Sequence, residues 1–162
     1  MCRFKSGIIL KTRCVIAQGA DDSHSAILEV LGIKDTAENA MTKFVRAELL
    51  PPDDEWWTNP DTWEAHIDQD ILPEWFETDK KKYIDDFRSA VKDWWEKHVL
   101  VDKKIDVLSS GYYRLKRCQV KKLMNDVQVM LDSSTVQEMH DSSTVQVMLD
   151  SSTVQEMHDS ST

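Results

Sequence analysis

Apolar positions recur in the first two thirds of the chain with short, changing periods. Ile8 to Leu10 and Cys14 to Ile16 flank Lys11-Thr12-Arg13, so the pattern predicts a β-hairpin over Arg3–Leu10 and Cys14–Gln18. Asp22 or Ser23 suits the cap of a short helix with apolar Ala26, Ile27, Val30 and Leu31, and Gly32 supplies its stop. Asp35-Thr36 begins another helical turn running to about Met41. Phe44 to Leu50 alternates as a strand and ends at Pro51-Pro52. Trp63, Ala65 and Ile67 alternate with polar residues as a second strand. The clearest helix runs from Lys81 to His98, with Ile84, Phe87, Val91, Trp94, Trp95 and His98 in one stripe. Val99–Val101 and Ile105–Leu108 read as short strands, and Ser110-Gly111 turns the chain into Tyr112–Val120.

From Leu123 onward the pattern becomes a tandem repeat of nine residues. Asp132 to His140 is followed by the related Asp141 to Leu149, the first unit returns at Asp150 to His158, and Leu123 to Leu131 is a degenerate copy. Units this short cannot bury an apolar face alone and must stack. The β-branched, alternating Thr-Val-Gln-Val-Met favours strand, whereas Ser-Ser-Thr lowers helix propensity. The expected result is a β-solenoid with two nonapeptides, eighteen residues, per coil. Val136, Val145 and Val154 then point inward, Thr and Gln outward, and Ser and Asp occupy corners. Asp132 and Asp150 would share one column, Asp141 and Asp159 another, with Glu138 near Glu156. The fold class is α+β: a mixed domain over residues 1–111 and a solenoid extension over 112–162.

Charge sharpens this division. The net charge is -9, but all 20 Lys and Arg precede residue 123, so residues 1–122 sum to -2 and the last forty to -7. An acidic field repels nucleic acid and attracts basic surfaces. Asp132, Glu138, Asp141, Asp150, Glu156 and Asp159 are therefore expected to face a basic protein partner, with no direct nucleic-acid contact. Trp56-Trp57, placed after two prolines among acids, are expected to be partly exposed anchors. Open strand edges around Val154, Met157 and Thr162 suggest a homodimer through the repeat.

The chemistry of catalysis is thin. There is no G-x-S-x-G elbow and no phosphate-binding glycine loop, and Cys2, Cys14 and Cys118 lack C-x-x-C spacing. No cofactor and no catalytic residue is expected. The tail has no Gly to turn a calcium-binding nonapeptide. Its single Thr per unit leaves a glycan-binding solenoid as a lesser alternative. His66, Asp68 and Asp70 share one face of a strand, with Glu64 beside them, as a candidate metal or acid/base site; the other reading of that face is plain solvation. No apolar run spans a membrane and Met1 to Lys5 is no secretory leader, so the cytoplasm is the expected compartment.

The opening Met1-Cys-Arg-Phe-Lys-Ser-Gly-Ile-Ile-Leu10, the segment Ile67 to Trp75 and the Asp-Ser-Ser-Thr-Val-Gln tail together resemble uncharacterised phage and prophage proteins of gut bacteria. The resemblance implies a phage accessory protein in the host cell that acts by binding. One such role is inhibition of a host defence system, for example a CRISPR effector. It carries no catalytic residue onto this sequence.

Overall fold

The computed structural model describes residues 4–19 and 21–162, so Cys2 and the Arg3 start of the expected hairpin lie outside the described residues. The chain divides into two compact units, Met1–Trp95 and Glu96–Thr162.

The first unit is built on a four-stranded antiparallel sheet. Its strands are β1 (Lys5–Leu10), β2 (Cys14–Ile16), β3 (Phe44–Leu50) and β4 (Glu64–Ile67), in the order β2-β1-β3-β4. Helix α1 (His24–Val30) starts where the Ser23 hydroxyl accepts from Ala26 N, and α2 (Ala37–Thr42) where Thr36 Oγ1 accepts from Asn39 N. Gly32, at φ +65°, turns the chain out of α1. Ile8, Ala17, Ile27, Leu28, Ala40 and Phe44 pack together on one side of the sheet. The other side of β1 faces α4 (Lys80–His98), and the two are in close contact at Gly7: a Cβ there would overlap the Phe87 ring. The expected stripe is the buried one, with Phe87, Val91 and Trp94 inside. Between β4 and α4 lies α3 (Glu74–Thr78), a five-residue helix too short to leave a period in the sequence.

An ion pair lies inside this unit. Lys5 Nζ is 2.8 Å from Asp22 Oδ1 with both side chains fully buried, and the ammonium sits 3.9 Å from the centre of the Trp94 ring. Two charges taken out of water hold only while they neutralise each other. The pair ties the first residue of β1 to the entry of α1.

The second unit is a β-solenoid. Strands β5 (Val99–Val101), β7 (Tyr112–Lys116), β9 (Gln128–Asp132) and β11 (Thr144–Leu149) form one parallel sheet. Strands β6 (Lys104–Leu108), β8 (Gln119–Leu123), β10 (Thr135–Met139) and β12 (Thr153–Met157) form the other. The coil therefore starts upstream of the expected boundary at 112, because β5 and β6 already pair in register with β7 and β8. Between the sheets, like stacks on like: Leu100, Leu115, Leu131 and Met148 in one column, and Ile105, Val120, Val136 and Val154 in another. No described helix is long and apolar enough to cross a membrane.

Two stability changes follow. Asp22→Asn takes the carboxylate away from the buried Lys5 ammonium, and is expected to cost about 3–5 kcal/mol in urea unfolding, whereas Lys5→Met with Asp22→Leu recovers most of that loss. Gly7→Ala drives a methyl into Phe87 and is expected to cost roughly 1–3 kcal/mol in the same assay.

Candidate functional site

The repeat's acids are set by how the coil turns. Each corner needs a residue with left-handed backbone, and the chain supplies Asp102, Arg117, Asn125, Ser133, Asp141, Asp150 and Asp159, all at φ between 50° and 57°. Asp and Asn tolerate this region better than other side-chain-bearing residues, so these corners turn without glycine, while the corner between β6 and β7 uses Gly111 at φ +91°. Corner side chains then cap the preceding coil. Asp141 Oδ2 accepts from Asn125 N at 3.0 Å and Asp159 Oδ2 from Asp141 N at 3.4 Å. At the opposite corner Ser134 Oγ accepts from Cys118 N at 2.9 Å and Ser152 Oγ from Ser134 N at 3.2 Å.

Coil length is not constant at eighteen. Lys104 lies beside Gln119, fifteen residues on; Gln119 lies beside Thr135, sixteen on; Thr135 lies beside Thr153, eighteen on. In the other sheet the register shifts between Val145 and Val147, so Asp132 pairs with Leu149. The expected Asp132–Asp150 column therefore does not form; Asp150 stands at the corner after Leu149. The Asp141–Asp159 column and the Glu138–Glu156 pairing do form.

This geometry sorts the acids. Asp132 is buried, with Lys116 Nζ at 3.4 Å and the Ser133 hydroxyl donating to it at 3.0 Å. Glu138 receives hydrogen bonds from Lys122 at 2.8 Å and His140 at 3.0 Å, which bring its carboxyl down to about 2. His140 and His158 stack with ring centres 4.7 Å apart, and His158 lies 3.4 Å from Glu156. Asp150, Glu156 and Asp159 are exposed on the last coil, which carries no Lys or Arg. Beside them Met148, Leu149 and Met157 are 46%, 40% and 52% exposed. Of the expected interface residues, Val154 is half-buried against the core and Met157 is open. Thr162 extends the edge of β11: its carbonyl accepts from Val145 N at 2.6 Å and its N–H donates to Ser143 O at 3.0 Å.

The tryptophans do not serve as an exposed pair. Trp56 is 4% exposed and packs edge-on against Trp63 and Trp94, while its carbonyl accepts from Trp95 Nε1 at 2.7 Å. Trp57 is half-buried. Two prolines and neighbouring acids said nothing of where the rings go, and Trp56 is a core residue.

The expected His66–Asp68–Asp70 face is also regrouped. Strand β4 ends at Ile67, so the period of two that would align Asp70 with His66 stops before reaching it. Antiparallel pairing sets Glu48 opposite His66, and the ligand atoms of His24, Glu48 and Asp68 all lie within 4.8 Å of one another. Burial raises the Glu48 carboxyl, Asp68 adds to the rise, and His24 and His66 oppose it. His24 and Glu48 carry no sequence signal for this grouping, since the strand register that collects them is non-local. The Cys14 thiol is pushed up to about 11 by burial, with Asp86 adding to the rise, so it stays protonated at neutral pH and is no nucleophile.

The depressed Glu138 carboxyl gives a pH dependence. Its folded value lies below the ordinary 4.5, so its contribution is complete above 4.5 and lost as pH falls towards 2. Thermal melts followed by circular dichroism should show wild type losing more stability across that window than Glu138→Gln.

Comparison with protein-family models, with curated proteins and with solved structures finds no match.

Proposed function

We propose that the chain is a non-enzymatic binding protein that presents the last coil of its solenoid to a basic protein surface. One observation carries this reading. Asp150, Glu156 and Asp159 stand exposed beside the apolar Met148, Leu149 and Met157, while no Lys or Arg occurs after residue 122. Asp132 and Glu138 do not share this character, because they are matched by Lys116 and Lys122. An apolar patch rimmed by uncompensated charge of one sign suits association with a partner of the opposite sign. In its specific form the partner is a host nucleic-acid-binding effector, whose basic groove the coil would occupy in place of nucleic acid.

The full chain is titrated against immobilised poly-lysine at low and high salt. Affinity is expected to fall as salt rises, and D150N/E156Q/D159N to weaken it by about tenfold or more. Displacement of single-stranded DNA from the poly-lysine by the chain supports the specific form. Equal capture by the triple variant overturns the proposal.

A second reading takes another copy of the chain as the occupant. It is favoured by β11 and β12 being the outer strands of their sheets, with Thr162 already adding backbone bonds to β11. Light scattering decides it: a dimer mass that Met157→Lys reduces to monomer supports this occupant, and a monomer mass for the wild type rejects it.

A further inference from the structure

We propose that His24, Glu48 and Asp68 form a binding site for a divalent transition-metal ion of the zinc class. The three come from different elements of the first unit: His24 is the first residue of α1, Glu48 lies in β3, and Asp68 directly follows β4. Their ligand atoms lie within 4.8 Å of one another, close enough for one ion to reach all three.

The orientation of the imidazole is the second, independent observation. His24 Nε2 is 3.2 Å from the Ala47 carbonyl oxygen. A carbonyl only accepts, so Nε2 carries the hydrogen and donates it. In the neutral ring Nδ1 is then a bare acceptor. Yet Nδ1 points at Asp68 Oδ2, 3.5 Å away, with the Glu48 carboxylate also in reach. The two are drawn together only by a positive charge, either a second proton on the ring, which makes the contact an ion pair, or a metal ion held between them. A metal-binding histidine typically donates its second ring N–H to a carbonyl or carboxylate, which fixes the tautomer and aims the free nitrogen at the ion. Ala47 fills that role here.

The surroundings are rigid and accessible. The His24 side chain is only 10% exposed, so its ring is held, whereas Asp68 is 56% exposed and opens the site to solvent. Asp68 N donates to Arg46 O at 3.1 Å. The next residue, Gln69, anchors the turn by donating to the carbonyls of Ala40 at 2.8 Å and Ile71 at 2.7 Å. Glu48 sits across the strand pair from His66, which flanks the site. One imidazole nitrogen with two carboxylates suits zinc and its neighbours; magnesium and calcium prefer oxygen throughout. Three protein ligands leave room for water to complete the coordination.

The test titrates zinc chloride into the chelator-treated full chain by calorimetry, with cobalt(II) absorption in the visible as a second readout. One ion per chain is expected, with a tetrahedral cobalt spectrum. Asp68→Asn removes an exposed ligand and leaves the fold in place, which circular dichroism checks. It and Glu48→Gln are expected to weaken zinc by at least about tenfold, while Asp70→Asn changes nothing. Absence of one-to-one binding, or binding that Asp68→Asn leaves unchanged, overturns the assignment.

Discussion

Parallel strands one coil apart must meet hydrogen bond to hydrogen bond, and every feature of the solenoid is subordinate to that requirement. Between Lys104, Gln119, Thr135 and Thr153 the spacing along the chain grows from fifteen to sixteen to eighteen residues, yet the four stay side by side. The strands cannot absorb the extra residues without turning side chains to the wrong face. Corners and one irregularity take them up instead: the register shifts between Val145 and Val147, and the residues after Leu149 make a longer turn. What the sheets demand of a corner is one residue of positive φ, and Asp, Asn, Ser, once Arg and once Gly meet it. The acidic character of the tail is thus in part a by-product of turning without glycine.

The same logic separates what the sequence disclosed from what it hid. The nine-residue repeat, the β-branched centres and the corner Ser and Asp announced a solenoid, because stacking of identical units is a local and repetitive signal. Phe44–Leu50 and the Lys80–His98 helix were legible for the same reason, their periods being written over many residues. The first coil was not. Val99–Val101 and Lys104–Leu108 precede the repeat, share none of its motif, and join the solenoid only through pairing with β7 and β8. Tyr112–Val120, the segment after the Ser110-Gly111 turn, divides at Arg117, whose left-handed backbone turns the chain from one sheet to the other.

Side-chain groupings were the least legible layer. Asp68 was singled out on its strand, but its neighbours are chosen by register and by a helix start that lies far away in sequence, which is how Glu48 and His24 displace Asp70. Trp56 shows the reverse error. Its flanks read as exposed, whereas three indoles interlock edge-to-face inside the first unit. In the tail, counting acids overstated the free charge, since Lys116 and Lys122 come from an earlier coil to meet Asp132 and Glu138.

The capping bonds at the corners all run in one direction. Asp141 serves Asn125, Asp159 serves Asp141, Ser134 serves Cys118 and Ser152 serves Ser134, always a later residue completing an earlier one. A turn emerging from the ribosome therefore waits, its amides satisfied by water, until the following winding arrives to close it. Each winding thus contributes to the one before it as well as to itself, so neighbouring coils share their stability.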